Sequence, residues 1–247
     1  MKRALIICMA AFMLAACGNK YTEKPEEDIS NKYTDAETDI SGVSGEDTPS
    51  DAVVYETVND EAVIAENQSV AGAMLDCFKN LDFDGALGYV RESDREMFDV
   101  ETAGSNLIYN LLPARMSYEF GESLTDEDGR RYISVDISSP SMLDIYSSVF
   151  LLMNDALING EITADETRDF NNDAIYDVVE GGDYDYITTN VVIEFQNDAD
   201  GELRTVLTPE LLNAMLGDIQ NASQQINEAM SESVDEYNSA KAAGEFD

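Results

Sequence analysis

Asp169, Asn171, Asp173, Asp177 and Glu180 fall at positions one, three, five, nine and twelve of a calcium-binding loop, a spacing that wraps oxygen ligands around a hard cation. Position six of such a loop turns sharply and takes glycine, but here it is Ala174. The stretch also follows Thr163-Ala164-Asp165-Glu166, which reads as a helix-capping box, and it carries Phe170, Ala174 and Val178 at helical spacing. Continuous helix is therefore expected. Glu166, Asp169, Asp173, Asp177 and Glu180 then line one solvated face, and no residue is assigned to a metal.

Three other acidic clusters invite the same question. Asp126-Glu127-Asp128-Gly129 and Asp198-Ala199-Asp200-Gly201 each sit between alternating segments, where turn chemistry alone accounts for them. Asp183-Tyr184-Asp185-Tyr186 offers two carboxylates for general acid and base work, yet it leads into a strand whose apolar face includes Ile187, so simple exposure explains it.

The absent residue types exclude more than the present ones suggest. There is no histidine, which removes Ser-His-Asp and Cys-His catalysis and the commonest zinc ligand. No glycine-rich phosphate loop or Gly-x-Ser-x-Gly elbow occurs. Lys79 is the only lysine between Glu66 and Ala240, and its place on an amphipathic helix reads as a surface lysine. Tryptophan is absent, which weakens a sugar-stacking role; Tyr118, Tyr132, Tyr184 and Tyr186 either line a groove or pack a sheet. No catalytic or cofactor-binding residue is assigned, and no cofactor is expected.

Of the cysteines, Cys8 lies in the leader, Cys17 directly follows it and Cys77 falls among Met74, Phe78 and Leu81 on a predicted helix as a small buried hydrophobe. Residues 1–16 have the parts of an export signal: Lys2 and Arg3, an uncharged apolar run from Ala4 to Leu14, then small residues. That run is too short to span a bilayer, which takes about 20 apolar residues, and no later segment supplies them. Leu14-Ala15-Ala16-Cys17 resembles the bacterial lipobox at all four positions. The resemblance implies cleavage before Cys17, a diacylglycerol on its sulfur, a possible further acyl chain such as palmitate on the new amino terminus, and a location on the extracytoplasmic face of the cell membrane. Each buried methylene of an acyl chain contributes about 0.8 kcal/mol, and two or more chains anchor stably.

The chain carries 14 basic and 51 acidic residues, a net charge of −37 that deepens once Lys2 and Arg3 leave with the signal. Such a surface repels phosphate backbones, so nucleic acid is excluded as a partner. Residues 17–65 are polar and acidic without a sustained period and read as a disordered tether, with a root-mean-square span of about 35 to 40 Å. Within it, Val53-Val54-Tyr55 has the composition of a strand that could join the domain.

A domain is expected over residues 66–217. Val70, Met74, Cys77, Phe78 and Leu81 keep a helix period, Asp82 can cap a short helix carrying Phe83, Ala86, Leu87 and Val90, and a third helix covers about 103–112, ending at Pro113. Met116, Tyr118 and Phe120 then alternate, as do Ile133, Val135 and Ile137, which gives a first hairpin. Pro140 reads as the first residue of a helix capped by Ser139 and ended by Gly160; the helix after the capping box stops at Gly181-Gly182. Ile187, Thr189, Val191, Ile193 and Phe195 form a second hairpin with Leu203, Thr205 and Leu207. Thr208-Pro209 opens a last helix, whose Leu212, Leu216 and Ile219 stripe continues to Tyr237 and makes residues 218–247 a helical acidic tail. The fold class is α+β: amino-terminal helices on a curved antiparallel sheet of two hairpins, a helical pair between the hairpins, and a carboxy-terminal helix.

From Phe78-Lys79-Asn80-Leu81-Asp82-Phe83-Asp84 through Ala86-Leu87, the sequence resembles the opening of nuclear-transport-factor-2-like domains, in which helices close over a curved sheet to make a cone with a pocket. The helical pair from Pro140 to Glu180 departs from that pattern. Address, resemblance and missing chemistry lead to a non-catalytic lipoprotein that binds a small ligand or an envelope protein. Two alternatives stand beside it: an enzyme using carboxylates and tyrosines in a cone-shaped pocket, and a solute receptor of a transporter, disfavoured for want of two lobes. The oligomeric state is left open.

Overall fold

The structure is a computed structural model and describes residues 55–229. The leader, Cys17, the tether up to residue 54 and the tail from residue 230 lie outside the described residues.

The fold is α+β, with one five-stranded antiparallel sheet in the order β1-β2-β3-β4-β5. The strands are β1 (Glu56–Thr57), β2 (Ser117–Thr125), β3 (Arg131–Pro140), β4 (Tyr186–Asn197) and β5 (Leu203–Thr205). The two expected hairpins are fused into one sheet by a long ladder between β3 and β4, from Arg131 opposite Phe195 to Pro140 opposite Tyr186. Alternation decides which face is inside. Ile133, Val135, Ile137, Ile193 and Phe195 are buried, while Asp136, Thr188 and Asn190 face solvent on the other side.

The inner face is covered by α1 (Glu61–Lys79) and α7 (Pro209–Met215), whose Ala71, Met74, Leu75, Phe78, Leu211, Ala214 and Met215 join the sheet residues in one core. Phe83 of α2 (Phe83–Leu87) and Phe98 complete it, with ring centroids 5.4 Å apart, and Phe98 meets Phe78 edge-on at 5.3 Å. Asp82 caps α2 as expected, its Oδ1 accepting the Gly85 N–H at 3.0 Å.

A second core lies at the Pro140–Tyr186 end of the sheet. It is built by α4 (Leu107–Leu111), α5 (Met142–Asn159), α6 (Thr167–Gly181) and a helix α8 over residues 219–229, with Ile108, Ile145, Val149, Ile175, Val179 and Ala222 buried. The α5–α6 pair is the expected insertion between the hairpins. Gly160 at φ +75° ends α5 and Gly182 at φ +70° ends α6, conformations that suit glycine. The capping box is also formed, Thr163 N–H donating to Glu166 Oε2 at 2.8 Å.

Four boundaries differ from the sequence reading. Ordered structure starts before residue 66, because Glu56 and Thr57 pair with Thr125 and Leu124, and Asp60 caps α1 by accepting the Ala62 N–H at 2.9 Å. The helix expected over 103–112 is two helices, α3 (Val100–Ser105) and α4, since Asn106 turns its side chain to the Ile108 N–H at 2.9 Å and starts a new helix. Pro140 ends β3 rather than beginning a helix. Ser141 is the cap of α5, and Ser139 is buried, donating to the Met215 carbonyl at 3.2 Å. Finally, the stripe from Leu212 to Ile219 is not one helix: Gly217 (φ +64°) and Asp218 (φ +59°) break it, and α8 redirects Ile219 and Ala222 into the second core.

Candidate functional site

Between α1 and the sheet, where a cone-shaped domain would keep its pocket, the space is filled. Met74, Phe78, Met116, Ile133, Ile137 and Ile193 are each at most 1% exposed. Alternation along the strands and the α1 stripe send these large side chains to the same place, where they pack on one another.

Among the described residues, one depression of about 400 Å³ lies at the Pro140–Tyr186 end of the sheet, lined by Asp144, Ser147, Ser148 of α5 and by Gly182, Asp183, Tyr184 and Asp185. It contains the two carboxylates singled out as an acid–base pair. The α6–β4 connection is held to α5 by the main chain of Asp185 and the carboxylate of Asp144: the Asp185 N–H donates to Asp144 Oδ2 at 3.2 Å, and the Ser141 N–H donates to the Asp185 carbonyl at 2.8 Å. Tyr184 donates to the Val179 carbonyl at 3.4 Å and stands 5.8 Å from the Tyr186 ring. Burial, then the neighbouring Tyr186, pushes the Tyr184 phenol up, so it is a poor acid or base near neutrality. The depression is open and polar, and nothing in it pairs a base with a nucleophile.

The other sequence candidates are dispersed. Asp169, Asp173, Asp177 and Glu180 lie exposed along α6, with Glu180 paired to Arg115, while Asn171 is buried, so no cation-binding loop forms. Among the described residues no group of three or more carboxylates or thiols is placed to hold a metal ion. Asp126 closes its turn, accepting the N–H of Arg130 at 2.8 Å and the Tyr132 hydroxyl at 2.8 Å. Cys77 is half-buried on α1, and burial, then Asp82 and Asp76, raises its thiol, which disfavours the thiolate. Lys79 sits in the last turn of α1, where its charge complements the helix dipole. The four tyrosines do not share a groove. Tyr118 donates to Asp76 of α1 at 2.8 Å, Tyr132 packs edge-on against Tyr55 at 5.1 Å, and only Tyr184 and Tyr186 adjoin.

Sequence reasoning missed what the surface leaves uncovered. Leu151 (64% exposed), Leu152 and Ile158 project from α5 outside its buried stripe. They are surplus apolar residues at positions the core does not use, and that surplus was readable in the helix period. On β4, Tyr186 and Val192 are 53% and 40% exposed. Among the described residues the β4 edge is open as well. Because the Val206 N–H donates to the Glu194 carbonyl at 2.9 Å, Glu194 faces β5, and by alternation Tyr186, Thr188, Asn190 and Val192 direct their N–H and C=O groups away from β3. Yet β5 pairs only with Phe195 to Asn197, and among the described residues these four meet no main-chain partner on that side.

No protein-family profile, curated protein or solved structure matches this chain.

Proposed function

We propose that this chain is a lipoprotein of the extracytoplasmic membrane face, held by acyl chains on Cys17 and acting by binding an envelope protein rather than by catalysis. The leader supports the anchor: a basic start, a short apolar run and Leu14-Ala15-Ala16-Cys17 at its end. The observation that carries the binding reading is the filled space between α1 and the sheet, where Phe78, Met116 and Ile137 lie at most 1% exposed. We read the domain as a nuclear-transport-factor-2-like cone whose interior is taken up by its own side chains, so that recognition falls to the outside. Leu151, Leu152 and Ile158 supply apolar surface of the kind protein partners cover.

Metabolic labelling with a clickable fatty acid tests the anchor. The wild-type chain should take up label and sediment with membranes, whereas Cys17→Ala should be unlabelled, soluble and still folded by circular dichroism. A labelled or membrane-bound Cys17→Ala would overturn it. For the binding surface, crosslinking in intact cells should trap an envelope protein on the wild type but not on Leu151→Asp/Ile158→Asp. Trapping that is indifferent to both substitutions would place the contact elsewhere.

A further inference from the structure

We propose that two copies of this chain join edge to edge through β4, antiparallel about a two-fold axis at Thr189, so that the sheets of the two copies become continuous. The outward main-chain groups of Tyr186, Thr188, Asn190 and Val192 meet no main-chain partner among the described residues, a run of donors and acceptors that sheets seldom leave unprotected.

The side chains select the occupant. From Tyr186 to Ile193 the strand reads Tyr-Ile-Thr-Thr-Asn-Val-Val-Ile, without a charge, in a chain with 51 acidic residues. It carries none of the lysines, prolines or inward charges that blunt an edge. With the axis at Thr189, Tyr186 stands opposite Val192 of the second copy, and Thr188 opposite its Asn190. The two exposed apolar residues of β4 therefore cover each other twice, as aromatic and β-branched cross-strand pairs, which are among the favourable ones. All four outward-facing residues exchange both hydrogen bonds with their opposites. The flanking acids do not meet: Asp185 falls opposite Ile193, and the outward side of Glu194 is taken by Val206 of its own copy. Moving the axis by one residue toward Asn190 sets Tyr186 against Glu194, and moving it the other way leaves Val192 against Tyr184 and Tyr186 against Asn190. The interface is thus isologous, one strip complementary to itself. A cationic partner, by contrast, would find its counter-charges elsewhere on this surface.

Because both copies are strongly acidic, pairing must overcome mutual repulsion, and screening should help it. Analytical ultracentrifugation of the full chain carrying Cys17→Ala, from about 10 to about 500 mM salt, should show a dimer whose fraction rises with salt, since the screening length falls from about 30 Å toward a few ångströms over that range. Thr188→Pro removes an N–H that points away from β3, a position where edge strands tolerate proline, and should weaken the dimer at least about 10-fold with its circular dichroism intact. Val192→Asp should do the same by setting a carboxylate against Tyr186, while Leu151→Asp on α5 should leave the dimer unchanged. A chain monomeric at every salt concentration overturns the proposal, as does a dimer that weakens with salt, survives both β4 substitutions or is lost in Leu151→Asp. A monomer whose amides at 186, 188, 190 and 192 exchange slowly would overturn it too, by showing the edge filled from within the same chain.

Discussion

A side chain of even one carbon on Gly217 would lie 1.8 Å from the carbonyl oxygen of Pro140, so the chain after α7 crosses the end of β3 with main chain against main chain. The contact is tied on both sides: the Met142 N–H donates to the Gly217 carbonyl at 3.0 Å, and Ser139 Oγ donates to the Met215 carbonyl at 3.2 Å. This crossing joins the two cores.

Gly217→Ala should therefore lower stability by about 3 kcal/mol, from steric overlap together with a left-handed backbone at φ +64°. Gly160 has a similar angle, φ +75°, but open space around it, so Gly160→Ala should cost only about 1 to 2 kcal/mol. Urea denaturation of the two variants separates crowding from backbone strain. Equal losses would mean that the Pro140 contact relaxes freely.

Asn67 is fully buried in α1, and its Oδ1 accepts from Nη2 of Arg131, which also donates to the Val63 carbonyl and pairs with Glu66 at 2.8 Å. Asn67→Leu would leave that guanidinium short of an acceptor and should cost about 2 kcal/mol, whereas Glu66→Gln at the exposed end should cost under about 1 kcal/mol. The midpoint of urea unfolding reads both. The reverse order would place the weight of the network on the surface pair.

The Tyr118 phenol is pushed up to about 12 by burial, and further by the Asp76 carboxylate that accepts its hydrogen bond. Burial and the Asp126 carboxylate raise Tyr132 as well. A folded pKa above the ordinary value of about 10 means the native state holds the proton longer than the unfolded chain does. The stability from these groups is complete below about pH 10 and is lost as pH rises through about 12. Stability measured against pH should fall over this window, and Tyr118→Phe should make the fall shallower. An unchanged slope in Tyr118→Phe would remove this tyrosine from the account.

Calcium should bind only as a general counterion. Asp169, Asp173, Asp177 and Glu180 lie along one side of α6 and converge on nothing, so calcium and magnesium at equal millimolar concentration should shift the melting temperature alike. A selective shift with calcium, lost in Asp173→Asn, would contradict this arrangement.

The elements with long, regular periods were legible in the sequence. The α1 stripe through Met74 and Phe78, the alternation of Ile133, Val135 and Ile137, and the box at Thr163–Glu166 all appear where their spacing put them. What could not be read was decided by long-range contact. Strand composition at Val53-Val54-Tyr55 pointed to this region, but the bounds of β1 at Glu56 and Thr57 are set by its pairing with β2, and the kink at Gly217–Asp218 is set by the main chain of Pro140, far away in sequence. At the candidate site, the acidic clusters were identifiable by residue type, but the tie of the α6–β4 connection to α5 depends on the Asp144 carboxylate meeting the Asp185 N–H, which spacing does not reveal. The open β4 edge was hidden for the same reason, since a strand's own residues do not state how far its neighbour extends along it.

The ladder between β3 and β4 also has a kinetic consequence. Its closest rung, Pro140 opposite Tyr186, can form only after residues 141 to 185 have been looped out, and its farthest, Arg131 opposite Phe195, spans more chain still. Closing so long a loop as free chain is entropically slow, and a helical pair of α5 and α6 formed first would shorten it. The insertion then acts as the stitch that brings the sheet together. Core substitutions in it such as Val149→Ala should act mainly by retarding refolding, and those in α7 such as Leu211→Ala mainly by hastening unfolding, a division that a chevron plot would display as opposite limbs.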